Sequence, residues 1–410
     1  MIHVRDTLAR EEIRFHYVQS KQDLMTVHDF VLRHSWLAID TESTGINCYR
    51  PQWRLRTVQI GDKYDSYVIP QQFRKFIAWL MNQKIKLIGH NGPHDIRCID
   101  HFLGYETDVV CAGETYIPSH HADSRNKQEG GIGHGLKELA IAHIDRNAGK
   151  WEQELKKVFK TITVPMPGEF YKSGPKKGLP KERKARLSEG WSLIDPTHPA
   201  YVAYAAADPI LTWRVWEYFQ PVVEEFIDLY RKDHRVQIAV DRLQRRAIKL
   251  DVDYTIRLSN AYTAKAEVMQ TVAAGYGCEN IQSGQQLSDV LLGLEAELTE
   301  RTATDKYKTD ARVLRGLFDN PASDPVVRDF IHSVLVAKQV LKRREAYTDA
   351  MLREMDENER VHPSINALAA RTARMSISGP ALQQLPTKDH ESETMWETED
   401  GTTADKHSIT

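Results

Sequence analysis

About halfway along the chain the hydrophobic period changes, and that change narrows the possible folds more than any single motif does. Over the first 220 residues, apolar runs of strand length alternate with stretches whose apolar residues recur at helical spacing. Runs at 36–40, 57–60, 67–69 and 86–89 predict strands, and the spacing at 73–81, 95–103, 136–144 and 200–219 predicts helices. Strands interleaved with helices bury their apolar faces by stacking in layers, so this half is expected to be an α/β domain. After Pro221 the strand pattern fades. Residues 236–248, 253–274 and 325–356 place apolar residues at helical spacing with dense charge between them. An elongated helical domain is therefore expected over 221–386, following an α/β domain over 35–220 and an N-terminal extension over 1–34.

Size and composition agree with this division. A chain of 410 residues implies about two to three domains at roughly 150 residues each. Hydrophobic residues at 41% and charged residues at 27% exclude a wholly disordered or fibrous chain. No run approaches the ~20 apolar residues of a bilayer helix, and the first residues lack the apolar core of a secretory signal. No membrane partner is expected, and a cytoplasmic location is. The four cysteines show no CxxC or zinc spacing, which suits a reducing compartment. The net charge of −2 hides opposed blocks. Residues 150–190 hold 11 Lys or Arg against 5 Glu, a net of +6, and their Pro and Gly punctuation predicts an extended basic loop. Such a loop is either a phosphate-contacting element or a solvated one. Residues 387–410 hold 2 Lys against 7 acids, a net of −5, and are expected to be an acidic disordered tail.

Three short patterns carry potential chemistry. Asp40-Thr41-Glu42 closes an apolar run, and alternation along a strand puts both carboxylates on one side. Held close, they need cationic compensation. Alone, the pattern is equally an exposed acidic turn, and Asp389-His390-Glu391 shows how readily it arises. His90-Asn91-Gly92-Pro93-His94-Asp95 follows the strand at 86–89; Asn91 is a candidate N-cap, which puts Asp95 one turn into a helix. Acids also favour helix N-termini through the dipole alone. Tyr204 and Asp208 stand at i and i+4 on a helix opened by Thr197 and Pro199, so phenol and carboxylate share a face, as two core-facing residues also would. Pro209 is expected to kink that helix.

In order and on these elements, the three patterns resemble the Exo I, Exo II and Exo III motifs of the tyrosine-bearing DEDD exonucleases, built on a ribonuclease-H-like sheet. Gly133-His134-Gly135-Leu136-Lys137-Glu138-Leu139-Ala140 resembles the helix those enzymes carry between the second and third motifs. His94 replaces the usual aromatic residue before the Exo II aspartate, and Glu114-Thr115 stands where Asp-Thr is common. The resemblance implies 3′→5′ hydrolysis at two Mg²⁺ ions about 3.5–4 Å apart, with Mn²⁺ as a substitute. It makes Asp40, Glu42, Asp95 and Asp208 the metal ligands: Asp40 bridging both ions, Glu42 and Asp208 completing the first, and Asp95 holding the second through water. Tyr204, with Glu42, would orient the attacking water, and Ile46 would be an apolar wedge against the terminal base.

Downstream the resemblance narrows. Glu279-Asn280-Ile281-Gln282-Ser283-Gly284-Gln285-Gln286-Leu287 is similar to the Asn-Ser-Pro-x-Gln-Leu segment of the family A DNA polymerase thumb. Residues 302–311 are similar to its Thr-x-x-Gly-x-x-Ser-Thr segment. Residues 361–364 and 372–386 resemble the signature containing Thr-Gly-Arg-x-Ser-Ser, with Ala373 in place of Gly and Gln384 in place of Asn. This implies a mostly helical thumb that grips primer-template, with Arg371, Arg374, Ser376 and Gln383 as DNA contacts. Lys338, Lys342, Arg343 and Arg344 form a basic helical stretch suited to the duplex backbone or to a solvated face. Asn91 joins the candidate DNA contacts. The resemblance ends near 386, and no palm or fingers motif with the aspartates of nucleotidyl transfer is found.

The expected activity is Mg²⁺-dependent removal of nucleotides from DNA 3′ ends, as the proofreading part of a truncated or split family A polymerase that does not polymerise alone. Its partners would be single-stranded 3′ ends and primer-template duplex, in the host cytoplasm if the chain is phage-encoded. An alternative is a DNA-binding subunit that works with a separate palm-fingers chain. A third is an RNA-trimming exonuclease.

Overall fold

The computed structural model describes residues 1–385; the acidic tail over 387–410 and Asp389-His390-Glu391 lie outside the described residues. The chain divides into two compact units. The first comprises Met1–Arg246 with Ile365–Ser376, and the second comprises Ala247–Ser364 with the described residues from Ile377 on.

The first unit is built on a seven-stranded mixed sheet. Its strands are β1 (Ile2–Leu8), β2 (Glu11–Tyr17), β3 (Trp36–Ser43), β4 (Leu55–Gly61), β5 (Asp65–Pro70), β6 (Lys86–Gly89) and β7 (Gly113–Glu114), in the order β1-β2-β5-β4-β3-β6-β7. β3 lies inside the sheet, antiparallel to β4 and parallel to β6. Its Leu37, Ala38 and Ile39 are buried on consecutive positions, as expected for a strand covered on both faces. Helices α1 (Lys21–Arg33), α2 (Arg74–Met81), α3 (Gly92–Leu103), α4 (Tyr116–Ala122), α5 (Leu136–His143) and α6 (Lys150–Phe159) follow in chain order. After α6 come a hairpin of β8 (Thr163–Phe170) and β9 (Pro180–Lys184), then α7 (Leu187–Leu193), α8 (Pro199–Glu225) and α9 (Ile227–Arg246). Helix α8 is a main support of the sheet, with Tyr201, Val202, Ala205, Ala206, Ile210, Leu211 and Val215 buried beside Phe15 and Val68. It stays one helix through Pro209 and Pro221.

Three sequence expectations are corrected here. Residues 1–34 are no extension: β1 and β2 form the antiparallel edge of the sheet, and β2 pairs in parallel with β5. In β1 the exposed positions alternate at His3, Arg5 and Thr7, and the charges of β2 at Glu11, Glu12 and Arg14 are exposed at its start, as expected near a sheet edge with one wet face. Nor is 150–190 a loop. Trp151, Leu155 and Phe159, four residues apart, form the buried stripe of α6, and the Pro- and Gly-rich stretch beyond is the β8–β9 hairpin. The first compact unit runs to Arg246, past the division expected near Gln220. A buried ion network explains this: Arg97 of α3 pairs with Asp241 of α9, Asp241 accepts from Arg245 Nε at 2.6 Å, and Arg245 reaches Asp100 of α3 at 2.6 Å. Residues 365–376 rejoin the same unit, where Leu368 packs with Ile117, Val223 and Tyr230.

The second unit is mostly helical. Its elements include α10 (Val252–Gly275), α11 (Gly284–Gly293), α12 (Ala311–Asp319), α13 (Pro325–Arg343), a π-helical segment (Arg344–Asp349) and α14 (Ala350–Glu354). A two-stranded ribbon of β10 (Ile248–Lys249) and β11 (Arg360–Val361) closes its base. Phe330, Ile331 and Val334 of α13 pack with Leu287 and Leu291 of α11, Cys278 and Ile281, so the apolar stripe read from the sequence is the core of this unit. No described helix is long and apolar enough to cross a membrane.

Candidate active site

Strand alternation places Asp40 and Glu42 on one face near the end of β3, opposite Gln59 and Thr57 of β4, and a bulge after Glu42 turns the chain out of the ladder. Asp208 reaches them from α8, so one oxygen from each of Asp40, Glu42 and Asp208 lies within 4.8 Å of the others. Asp95, from the first turn of α3, accepts a 2.6 Å hydrogen bond from the Thr41 hydroxyl, between the two β3 acids. That approach needs a bare backbone behind it. A Cβ on Gly89 would stand 2.4 Å from the Gly92 Cα, and one on Gly92 would stand 2.5 Å from the Cys111 Sγ. Glycine at these two positions lets β6 turn straight into α3.

Asn91 occupies the N-cap position of α3 in a left-handed conformation (φ 61°), but its side chain makes no cap bond. Glu114 of β7 does that work: its carboxylate accepts from the Asn91 and Gly92 N–H groups at 2.7 and 2.9 Å, and from Tyr116 N–H at 3.1 Å. Burial nonetheless pushes Glu114 up to about 7. Sequence reasoning noted Glu114 as a departure from a pattern and missed its capping role.

The electrostatics of the acid cluster follow from enclosure. Burial raises Asp40 to about 7, opposed by Lys137. Burial and then the Asp40 charge push Glu42 well up, and the same two causes push Asp95 up. Asp40 Oδ2 is enclosed and has no hydrogen-bond partner among the described residues. Crowded carboxylates of this kind are stable as anions only with positive charge among them. Part of that charge is Lys137 of α5, which the sequence pattern alone does not mark as a site residue. Its ammonium is ion-paired with Asp208 and lies 4.6 Å from the centre of the Tyr204 ring. Burial lowers Lys137 to about 8, with Asp40 and Glu42 pulling it back up. An orphaned carboxylate oxygen and an all-oxygen donor set suit a hard divalent cation, so these residues fit a metal site.

Tyr204 completes the wall. Its phenol is held well above the ordinary range by burial and then by the charge of Glu42, so it keeps its proton. Trp191 of α7 packs against its ring at 5.4 Å between centroids, and Phe159 of α6 backs Trp191 at 5.1 Å. Arg56 of β4 donates to the Trp191 and Ile194 carbonyls, which pins α7 to the sheet. His94, beside Asp95, is half-buried, and desolvation lowers it to about 4, so it is neutral.

The other candidates are dispersed. Ile46 is 83% exposed in the loop after β3. Arg371, Arg374 and Ser376 are exposed on the segment of the first unit that returns at 365–376. In the second unit Lys338 helps line a cavity of about 470 Å³ together with Lys306, Lys308 and Thr309. Lys342 is exposed, whereas Arg344 is turned inward to Asp349 at 3.1 Å and the Thr263 hydroxyl at 3.0 Å. Gln383 accepts from the Ile377 N–H at 3.2 Å.

Comparison with known proteins adds to this geometry. Residues 15–166 match the family described as 3′-5′ exonuclease, and residues 252–400 match DNA polymerase family A. A DNA polymerase of Mycobacterium phage L5 is 27% identical over 401 residues, covering 95% of this chain and 62% of that protein. That of phage D29 is 27% identical over 400 residues, with the same coverage. The chain thus spans about 62% of the length of these relatives. DNA polymerase I of Chloroflexus aurantiacus is 30% identical over 201 residues, 46% of this chain and 20% of that protein. Among solved structures, the POL domain of Pol1 from M. smegmatis, in complex with DNA primer-template and dNTP, superposes with a TM-score of 0.58 at 15% identity. That match covers 91% of this chain and 56% of the other, and at this identity it speaks for the fold.

Proposed function

Because the chain joins a 3′-5′ exonuclease region to a DNA polymerase family A region, we propose that it hydrolyses DNA from the 3′ end, one nucleotide at a time, with Asp40, Glu42, Asp95, Asp208 and Tyr204 as its catalytic residues. The observation that carries this is the buried acid cluster, in which Asp40, Glu42 and Asp208 converge within 4.8 Å beside a protonated phenol. Asp40, Glu42 and Asp208 would hold one divalent cation and Asp95 would help hold a second; Mg²⁺ is the expected ion, with Mn²⁺ as a substitute. Bound there, the cations supply an activated water and neutralise charge on the leaving oxygen.

The chain's own residues do the rest. Tyr204 donates its hydroxyl hydrogen bond without losing its proton, and the tilted contact with Trp191 holds its ring, so it orients the reacting oxygen and is not a base. Lys137 offsets one carboxylate charge and packs over the same ring. Thr41 holds Asp95 in register with the β3 acids. Ile46, exposed in the loop after β3, would meet a terminal base.

In the full setting this activity would serve proofreading in replication, in a cytoplasm, with Lys338, Lys342, Arg343, Arg371, Arg374, Ser376 and Gln383 as primer-template contacts; Arg344, engaged with Asp349 and Thr263, is left out of that set. A second reading gives weight to the family A polymerase match over 252–400: a DNA-binding polymerase subunit, which would act with a separate palm-fingers chain. Incubating the purified chain with Mg²⁺ and 3′-labelled single-stranded DNA or RNA separates the readings. Mononucleotides released from DNA support the exonuclease, binding without release supports the subunit, and faster release from RNA redirects the substrate.

A further inference from the structure

The β8–β9 hairpin and its flanks carry a charge pattern that the acid cluster does not explain. Between Thr163 and Arg186 there are 7 Lys or Arg and 2 Glu, a net of +5. Phe170 pairs with Pro180 at the end of the ladder, and Tyr171 and Leu179 continue it through backbone bonds of 3.0 Å. Phe170 and Leu179 are 53% and 56% exposed, and strand alternation puts them on opposite faces of the hairpin's end, so each face presents an apolar group to solvent. Lys172, Lys176 and Lys177 stand in the connecting turn. Lys172 and Lys177 form no ion pair among the described residues, while Lys176 reaches Glu182 only at 3.7 Å and lies 5.7 Å from the Tyr171 ring centre.

The base of this hairpin is tied to the catalytic wall. Arg183 of β9 makes a two-pronged bond to Glu189 of α7, at 2.8 and 2.6 Å, and α7 carries the Trp191 that packs on Tyr204. A strand of eight residues reaches roughly 25 Å from that anchor. Cationic side chains for phosphates beside rings for bases is the arrangement that holds single strands without reading sequence. In duplex DNA the base faces are covered by stacking and leave such rings nothing to meet.

We propose that this hairpin is the single-strand guide of the nuclease: Lys172, Lys176 and Lys177 track the phosphates of a single-stranded 3′ end while Phe170 and Tyr171 stack on its bases and lead it toward Tyr204. The inference rests on the exonuclease reading, and its test is scored separately from that reading. In the uncleaving Asp40→Ala/Glu42→Ala chain, affinity is measured across a salt series for an oligothymidylate and for a blunt duplex of equal length. Substituting Lys172→Gln, Lys176→Gln and Lys177→Gln should weaken single-strand binding by about tenfold and make the salt slope shallower by about 2, since each single-strand phosphate contact contributes about 0.7. Phe170→Ser with Tyr171→Ser should weaken it by about fivefold or more at an unchanged slope. The duplex should lose much less in both variants, and the thermal midpoint should hold because the substituted side chains are exposed or half-exposed. Unchanged single-strand affinity in either variant, or an equal loss on the duplex, overturns the inference. Failure of the nuclease reading would show elsewhere, as uncut label with the unsubstituted chain and Mg²⁺.

Discussion

Four carboxyl groups and one ammonium share the enclosed end of β3, and the charge balance among them governs the chain when no cation is bound. Lys137→Met removes the ion pair to Asp208 and leaves buried acid uncompensated. Breaking a buried pair on one side costs about 3–5 kcal/mol, so denaturant unfolding in EDTA should show a loss of that order. Mg²⁺ should then raise the variant's stability more than the wild type's; an unchanged EDTA midpoint would remove Lys137 from the charge balance. Glu114 gives the pH prediction. Its carboxyl is raised from 4.5 to about 7, so between those values the folded state holds a proton that the unfolded state has lost, and stability falls as pH rises through the window. His90 and His94, lowered by burial from 6.5 to about 4, act oppositely between 4 and 6.5. Comparison with Glu114→Gln isolates the acid. The amide turns a donor toward N–H groups that Glu114 accepts, costing about 1–3 kcal/mol at pH 5, and the gap to wild type should narrow toward pH 7.5. A gap that widens with pH contradicts the assignment. The acids were legible in the sequence because Asp and Glu occur in a recognisable order; Lys137 was not, because a lysine on an amphipathic helix reads as solvated until the fold shows where it points.

At the scale of elements, α7 joins the hairpin to Tyr204, and Gly190 is where it is most confined. A Cβ there would stand 2.4 Å from the Phe159 ring, with no room to yield short of moving the edge-to-face Phe159–Trp191 pair. Overpacking of this kind costs about 1–3 kcal/mol, so Gly190→Ala should lower stability by that much and slow nucleotide release through a displaced Tyr204. Full activity with wild-type stability would show that α7 does not position the tyrosine. The α3–α9 ion network makes a comparable prediction. Asp241→Ala strands Arg97 and Arg245 without their shared partner and should cost about 3–5 kcal/mol by urea unfolding. Helices and inner strands were readable because burial on one or both faces imposes a period on their apolar residues. The edge strands β1 and β2, the helix inside the basic segment, and the attachment of α9 were not. In α6 the stripe of Trp151, Leu155 and Phe159 is masked by dense charge and by the Pro and Gly that follow it. In β1 and β2 charge interrupts the apolar alternation, and α9 is attached by ion pairs that span some 145 residues.

At the scale of the molecule, two sequence families meet in one chain: a seven-stranded α/β unit carrying the acid cluster and a mostly helical unit carrying the polymerase-like segments. The segment at 365–376, whose last five residues belong to the polymerase-like signature, folds with the first unit through Leu368 and through Tyr116, whose hydroxyl reaches Asn366 Oδ1 at 3.1 Å and the Leu368 carbonyl at 2.9 Å. No periodicity argument shows that return, since it depends on a contact across some 250 residues. Asp40, Glu42, Asp95, Asp208 and Tyr204 are proposed to form a cation-dependent 3′→5′ exonuclease site. The most direct measurement follows single nucleotides released from 3′-labelled single-stranded DNA, with Mg²⁺ and then with EDTA, by the wild-type chain and by Asp40→Ala/Glu42→Ala. The account predicts release by the wild type with Mg²⁺ only, and none by the double variant although it still binds the DNA. Equal release by the two chains, or release by the wild type that persists in EDTA, would contradict it.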